Sequence, residues 1–556
     1  KMKLILKEYL RSLKERNELD ALLPDLLTEM GMIVTSLPQR GTRQNGVDIM
    51  AVGKNTKQED TVFLFSVKDG DLNRTHWNGG SDQALRPSIE DIIDVYIPNR
   101  IPQEHKNKKV VICLCFGGNI LEQVRELVSS YTSQKTTKRI SFEEWNGDKI
   151  AELIIQHLLK ESLLPVGFRE ELRRSIAMIE EPEPSIQYFH SLLQLIEKSA
   201  LSVLRKIRLI NLCLWVLYSW SRNLYNLESV YQCSEKALFI SWLIVKDIYP
   251  NKNKEATEVR IAFENIVRVY RQITENFIDK FKPYCDKQYA ISANAHYGSH
   301  ANTNIKLFDI LSRFSVYAYW LYSDIQNEND QDLKQKLIDK LCNHLDVLQS
   351  LILNNSILFT PIKDSQIIEI SLFILAFNLS NEEEHIKFLK LYVTNLINAL
   401  KTSYGINYLY PVIYEDFEKL LNHSSQHDDS YFKEATSGSL MLPTLALISA
   451  LFEDGPSFKI IQEIQKNKLS HCNFQFWFPR EKSENIMLSS SDRLHGACWS
   501  SVPIQKNMPE FLNEVQIMLS QNEHLKNFSL LKNNLDPIFL VACRHYRQPI
   551  PLNFTI

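Results

Sequence analysis

The sequence predicts an α/β domain followed by a large, mostly α-helical region, and three observations support this division. Eleven of the sixteen glycines lie at or before residue 167. Five short apolar runs alternate with amphipathic segments in the first 162 residues, and apolar residues recur at helical spacing from residue 201 onward. Because glycine marks tight turns and close backbone approaches, the first part should be turn-rich and the rest helical.

Within the first part, the expected order is helix, three strands, helix, strand, helix, strand and helix. A helical pattern covers residues 9–31, with Pro24 interrupting it and Gly31 at its end. Strands are expected at 32–38, 46–52, 61–68, 108–116 and 139–145, and further helices at 81–97, 120–131 and 147–163. Strands separated by helices indicate a mixed sheet with helices packed on it.

The predicted domain boundaries follow the same change in pattern. Residues 1–162 form the α/β domain, 163–185 a linker, and 186–556 the helical domain. Helices of the last part are expected at 201–222, 235–248, 255–281, 304–324, 331–354, 365–379, 383–402, 439–453 and 508–520. No fixed repeat length emerges, so this part is interpreted as irregular, with a solenoid as one arrangement of it.

Composition is typical of a soluble globular protein, with 44% hydrophobic and 23% charged residues. The nine cysteines are scattered and contain no CxxC pair, so we expect reduced thiols and a cytoplasmic protein. The most apolar stretch, 209–220, is too short to span a bilayer, and no membrane partner is expected. The net charge of −3 gives no general attraction to nucleic acid, so any site for a polyanion must be local.

Three common catalytic motifs are missing from the sequence. There is no GxxxxGK[ST] stretch, no GxGxxG after a strand and no GxSxG elbow. A P-loop ATPase, a dinucleotide-binding enzyme and an α/β-hydrolase are therefore poorly supported.

Two charged residues lie on neighbouring apolar strands, where charge is unusual. Asp48 lies within GVDIMAV, and Lys68 ends TVFLFSVK. Because strand side chains alternate between faces, Ser66 and Lys68 point the same way, and Asp48 can join them when the strands pair. A carboxylate at a sheet edge can hold Mg²⁺ with water and phosphate oxygens, and an ammonium can orient a water or stabilise phosphate charge. The pattern favours phosphodiester hydrolysis.

A helix, a strand, the GVDI strand and a hydrophobic strand ending in x-V-K together resemble the PD-(D/E)xK nuclease superfamily, in particular Mrr-type restriction endonucleases and archaeal-type Holliday-junction resolvases. The resemblance covers roughly residues 10–160. It implies a restriction-endonuclease-like fold in which Asp48 matches the acid of the PD motif and binds Mg²⁺ or Mn²⁺. Lys68 matches the catalytic lysine. No family is recognised for the helical part.

The resemblance also implies a second acidic metal ligand on the first helix. Asp20 matches it by its distance from Gly31, and Glu18 is the alternative. Ser66 departs from the family, which usually has an acid or a glutamine there, and its hydroxyl is expected to hold a water or a substrate oxygen. Asp69 and Asp71 follow the strand and could supply the missing acid.

Polar and aromatic residues around the motif strands are expected to bind nucleic acid, DNA rather than RNA. They precede the GVDI strand, follow Lys68, or lie on the next helix: Arg43, Gln44, Arg74, Trp77, Gln83 and Arg86. A basic residue beside an aromatic one can bind a phosphate backbone and a base together.

The resemblance implies a metal-dependent DNA endonuclease, and such nucleases fused to helical domains are frequent in bacterial defence against phage. The helical domain is then expected to sense a trigger, bind a protein partner or self-associate, which is an analogy at the level of the fold. One alternative is a nuclease fold that has lost catalysis and acts as a nucleic-acid-binding or scaffold subunit. Another is a purely structural helical protein without nucleic-acid affinity.

Overall fold

A computed structural model describes residues 2–36, 45–79, 84–159, 166–224, 226–294, 299–426, 428–490 and 495–554. The chain divides into two compact units. Unit 1 comprises residues 1–237 and 251–269, and unit 2 comprises residues 238–250 and 270–556.

Unit 1 is built around a mixed five-stranded sheet with the strand order β1-β2-β3-β4-β5. The strands are β1 (Ile33–Ser36), β2 (Ile49–Lys54), β3 (Asp60–Lys68), β4 (Lys109–Phe116) and β5 (Ile140–Trp145). β1, β2 and β3 pair antiparallel, whereas β3, β4 and β5 pair parallel. The predicted mixed sheet is confirmed, since each apolar run forms the strand expected of it.

Helices cover the sheet of unit 1 and continue beyond it. They are α1 (Met2–Ser12), α2 (Asp20–Glu29), α3 (Arg74–Asn78), α4 (Leu85–Asp91), α5 (Ile97–Asn99), α6 (Glu122–Lys135), α7 (Gly147–Leu153), α8 (Phe168–Ala177), α9 (Pro182–Lys198) and α10 (Val203–Asn223). Val62, Leu64 and Ile112 of the central strands share one buried cluster with Leu85 of α4 and Val124 of α6. Burial of this apolar face supplies much of the stability of the sheet.

The first helix breaks at a different place from the one predicted. α1 ends at Ser12, Lys14 is extended with φ −74° and ψ 155°, and a π-helical turn at Glu15–Leu19, hereafter the π-turn, precedes α2. Pro24 lies inside α2, where its missing N–H leaves the helix without one hydrogen bond to the carbonyl of Asp20, and the helix nevertheless continues to Glu29. Gly31, with φ +83°, follows the end of α2 as predicted.

The segment predicted as a linker contains α8, which packs against α9. Ser175 of α8 donates to the carbonyl of Ser185 at 3.0 Å, and Ser185 donates back to the carbonyl of Ser175 at 2.9 Å. Farther along the chain, α10 packs against α1. Unit 1 therefore extends beyond residue 162 and includes α8, α9 and α10.

The remainder of the chain is mostly helical, and every helical stretch predicted there overlaps an observed helix. The helices are α11 (Glu228–Val245), α12 (Lys254–Cys285), α13 (Ala290–Asn294), α14 (His300–Asn327), α15 (Gln331–Leu353), α16 (Ile367–Asn378), α17 (Glu383–Gly405), α18 (Phe417–Asn422), α19 (Asp429–Ala435), α20 (Met441–Leu451), α21 (Gly455–Asn467), α22 (Ser483–Met487), α23 (Met508–Ser520), α24 (Ser529–Lys532) and α25 (Asp536–His545). None of the helices in the described part of the chain is both long and apolar enough to cross a bilayer.

Two short strand pairs within unit 2 were not predicted. β6 (Gly438–Ser439) pairs with β7 (Asn473–Phe474), and β8 (Phe476–Phe478) pairs with β9 (Ala497–Trp499). Strands of two or three residues are too short to show an alternating pattern, so periodicity cannot reveal them.

The glycine that begins the GVDI stretch, Gly46, gives a testable prediction about the fold. Gly46 has φ +79°, and a Cβ there would overlap the carbonyl oxygen of Ser88. We expect Gly46→Ala to cost about 1–2 kcal/mol for the left-handed backbone and about 1–3 kcal/mol more for the overlap. Hydrogen–deuterium exchange of the β2 and β3 peptides measures this loss as faster local opening.

Gly31→Ala is the matched control, because Gly31 also has a positive φ but open space around the added Cβ. Gly31→Ala should lower stability only by the cost of the left-handed backbone, about 1–2 kcal/mol. Equal effects of the two substitutions would show that the approach of Ser88 to residue 46 does not constrain the start of β2.

Candidate functional site

Asp48 lies just before β2, where the ladder between β2 and β3 ends. Its backbone N–H donates to the carbonyl of Phe65 at 2.9 Å, and its Oδ2 accepts the N–H of Val67 at 2.7 Å. Ile49 pairs with Phe65, so continuing the antiparallel register by one residue sets Asp48 opposite Ser66. The carboxylate of Asp48 is therefore held beside the end of β3.

Lys68 is the last residue of β3, and it is only 7% exposed. Its Nζ lies 3.3 Å from Oε2 of Glu15, the first residue of the π-turn. A buried ammonium is costly unless an opposite charge compensates it, and the Glu15 carboxylate provides that charge. Asp48, Ser66 and Lys68 thus lie at the same end of β3, and the charge of Lys68 is compensated by Glu15.

Glu15 was not singled out from the sequence, although the segment ERNELD contains three acids. Asp20 was predicted by counting back along a regular helix from Gly31. The π-turn changes the angular phase of the residues before α2, so a count along a regular helix does not point to Glu15. Asp20 is the first residue of α2 and is half-buried, and the acid shown beside Lys68 is Glu15.

Glu18, the other predicted metal ligand, is engaged in a different contact. It is 2% exposed, and its Oε2 accepts the backbone N–H of Lys14 at 2.8 Å. Arg222 of α10 approaches it with Nη1 3.3 Å from Oε1. The carboxylate of Glu18 is thus engaged in a buried ion pair with Arg222, and its role as a metal ligand stays a prediction.

The two acids that follow β3 also have other contacts. Asp71 pairs with Arg11 at 2.8 Å and accepts the N–H of Asn119 at 2.9 Å, which ties the loop after β3 to the loop after β4. Asp69 lies 3.5 Å from the ring of His76. Asp71 therefore holds the local backbone, Asp69 contacts a side chain, and neither is shown to replace the acid that β3 lacks.

The chemistry of the donors decides whether a metal ion fits this edge. Within the described ranges, no group of three or more His, Cys, Asp or Glu side chains is arranged to hold a metal ion. Mg²⁺ often takes only one or two carboxylates and completes its shell with water and phosphate oxygens. Asp48 offers one such carboxylate beside the end of β3.

The two thiols of β4 do not provide a nucleophile. Burial raises the pKa of Cys115, and the negative charge of Asp48 raises it further. Burial also raises the pKa of Cys113, with Glu143 adding to the effect. Both side chains remain protonated thiols at neutral pH, and the thiolate is the reactive form.

A cleft of about 400 Å³ lies between α3, α4 and α6, and it contains three of the predicted nucleic-acid-binding residues. Its walls are formed by Arg74, Trp77, Asn78, Arg86, Leu127 and Tyr131. Arg74 and Arg86 are exposed, and the Arg86 guanidinium lies 5.2 Å from the ring centroid of Tyr131. Arg86 also pairs with Glu90, with Nε 3.3 Å from Oε1, so an anionic ligand in the cleft would meet Arg74 and would compete with Glu90 for Arg86.

Trp77 differs from its predicted role as a stacking surface. It is 2% exposed and packs edge-on against Tyr131, with ring centroids 5.5 Å apart. Its indole packs in the hydrophobic core of unit 1. Trp77 is the one large apolar side chain of α3, and its burial anchors this short helix to the rest of the unit. Arg43, Gln44 and Gln83 lie outside the residues that the structure describes.

Comparison with known proteins does not extend this picture. No protein-family model, no curated protein and no solved structure matches the chain. Its function is therefore inferred from the geometry of the site and from the resemblance of its motifs.

The burial of Trp77 leads to a prediction that separates packing from binding. Trp77→Ala should destabilise unit 1 by about 3–5 kcal/mol, because it leaves a cavity beside Tyr131. Arg74→Ala, on the exposed side of the same helix, should change stability by no more than about 0.5 kcal/mol. Hydrogen exchange of the α3 and α6 peptides measures both effects. If Trp77→Ala left the exchange rates unchanged, the indole would not be part of the core, and the predicted role in stacking would stand.

Proposed function

We propose that unit 1 is a metal-dependent nuclease that hydrolyses phosphodiester bonds in DNA, with a restriction-endonuclease-like fold and a site centred on Asp48 and Lys68. The observation that supports the proposal is that both residues lie at the same end of β3. Asp48 is bonded to the N–H of Val67, and Lys68 is the next residue along the strand. Lysine is almost never fully buried unless it is paired, and Lys68 is paired with Glu15.

The chain's own residues would share the chemistry as follows. Asp48 would hold Mg²⁺ or Mn²⁺ together with water and a phosphate oxygen of the substrate. Such an ion, when bound, supplies positive charge to the phosphate and favours ionisation of a bound water. Lys68 would orient the attacking water and offset negative charge that develops on the phosphate, and burial strengthens this interaction by excluding solvent. The Ser66 hydroxyl would orient water or a substrate oxygen.

The substrate backbone would be held in part by the cleft between α3 and α6. Arg74 and Arg86 are exposed there, and arginine binds phosphate through several N–H donors in a fixed plane. The recognition is expected to depend on phosphate rather than on base sequence, since Trp77 is buried.

A second candidate function is a nuclease fold that binds nucleic acid without cutting it, as a binding or scaffold subunit. Ser66 favours this alternative, because a hydroxyl adds no charge where the related nucleases carry an acid or a glutamine. A role in defence against phage, with unit 2 sensing a trigger or binding a partner, extends the proposal by analogy with proteins of similar organisation.

Charge removal at the end of β3 tests catalysis. Asp48→Asn keeps an oxygen for the Val67 N–H while removing the charge, and Lys68→Met keeps the length of the side chain. Each should lower Mg²⁺-dependent nicking of a supercoiled plasmid by about 10²–10³-fold, since each removes a charge that acts in the transition state. EDTA should abolish nicking by the unmodified protein.

The matched controls lie at the opposite end of the parallel pair β3 and β4. Asp60 begins β3 and pairs with Lys54 at 2.7 Å, and Lys109 begins β4 and pairs with Glu59 at 2.8 Å. Asp60→Asn and Lys109→Met should nick the plasmid at the unmodified rate. Nicking that survives both Asp48→Asn and Lys68→Met would rule out this site.

Salt-dependent DNA binding tests the cleft and also the non-cutting alternative. In EDTA, the double variant Arg74→Ala/Arg86→Ala should bind DNA more weakly. The slope of its log K against log salt concentration should also be shallower, by about 0.9 for each phosphate that it no longer neutralises. Arg173→Ala/Arg174→Ala removes the same charge from the exposed surface of α8 and should leave the slope unchanged. Equal slopes for the two double variants would exclude the cleft as a DNA-binding site.

A further inference from the structure

The π-turn that carries Glu15 is held by a helix far along the chain. Glu15 and Glu18 belong to the same five-residue turn. Glu18 accepts two hydrogen bonds from Arg222 of α10, 3.3 Å from Nη1 to Oε1 and 3.5 Å from Nη2 to Oε2. All three residues lie in unit 1. Glu15 of the π-turn thus contacts Lys68 of the sheet, and Glu18 of the same turn contacts Arg222 of α10.

The contact between α10 and the π-turn is buried, so its energetic effect should be large. The Glu18 side chain is 1% exposed and that of Arg222 is 19% exposed. The Arg222 guanidinium also lies 4.7 Å from the ring centroid of Tyr218. Two-point contact between guanidinium and carboxylate fixes orientation as well as distance. The pair therefore constrains the angle of the π-turn and not only its proximity to α10.

The backbone of the turn transmits this constraint to the lysine. Oε2 of Glu18 accepts the N–H of Lys14, and the carbonyl of Lys14 accepts the N–H of Leu19 at 3.1 Å. Glu15 lies between these anchored positions, and its carboxylate reaches Lys68. A π-turn is an uncommon conformation that persists where its surroundings impose it. Withdrawal of Arg222 would remove one of the interactions that impose it.

We propose that Arg222 is a positioning residue for Lys68. It holds Glu18, which fixes the π-turn, and the turn presents Glu15 to the ammonium at the end of β3. This proposal rests on the proposed nuclease function and deepens it, because it makes a helix outside the α/β part necessary for the geometry of the site. A displacement of α10 would then regulate cleavage by altering the position of Lys68.

The experiment compares variants of the full chain at two ends of α10. Arg222→Gln breaks the ion pair with the π-turn. Arg205→Gln is the matched control, because Arg205 lies near the start of the same helix and pairs with Glu29 of α2 at 3.6 Å. The first readout is the rate at which N-hydroxysuccinimidyl acetate acetylates Lys68, followed by peptide mass spectrometry. The second is the kcat and KM of Mg²⁺-dependent DNA cleavage.

Arg222→Gln should raise the acetylation rate of Lys68 several-fold, and Arg205→Gln should leave it unchanged. Arg222→Gln should also lower the kcat of DNA cleavage by about 10²-fold with little change in KM. This is the effect expected when a catalytic group is displaced by about 1 Å. Arg222→Lys should restore part of both readouts, because it returns the charge without the two-point contact.

Arg222→Gln leaves a buried carboxylate without its cation, so the double variant Glu18→Gln/Arg222→Gln provides a form with no uncompensated charge. An acetylation rate equal to that of the unmodified chain in both variants would overturn the positioning role. Absence of cleavage by the unmodified chain would refute the proposed function, while the Lys68 acetylation rates would still decide whether Arg222 controls the lysine.

Discussion

The burial of one ammonium group at the end of β3 sets the requirements for the rest of the site. Lys68 is held in the protein by the carboxylate of Glu15, 3.3 Å away. That contact needs an acid beside the end of the strand, and the π-turn between α1 and α2 carries it. The turn in turn needs support for its second acid, which comes from Arg222. A charge buried in a strand thus links the sheet to a helix about 150 residues later in the chain.

Most of the fold of unit 1 was predictable because its strands are strongly patterned. β3 and β4 are apolar along nearly their whole length, and their burial on both faces explains why. Asp48 and Lys68 were recognisable for the same reason, since a charge stands out within or at the end of such a run. The long helices of unit 2 were recognisable because helical periodicity accumulates over many residues.

The parts that could not be predicted depend on contacts between distant residues or on local departures from regular geometry. Glu15 was hidden because a π-turn shifts the phase from which its position would be counted. Trp77 was assigned to the surface because an aromatic residue next to polar ones looks the same in a core and in a binding site. The ion pair between Glu18 and Arg222 could not be predicted from local sequence patterns, because the two residues are 204 positions apart.

The proposed nuclease requires that the end of β3 hold a divalent cation through Asp48 beside the substrate phosphate. Electron paramagnetic resonance of Mn²⁺ tests this requirement directly, using the full chain with a DNA duplex and comparing Asp48→Asn with Asp60→Asn. We expect a bound Mn²⁺ signal in the unmodified chain and in Asp60→Asn that is lost in Asp48→Asn. Equal Mn²⁺ occupancy in all three proteins, or none in any of them, would contradict the proposed site.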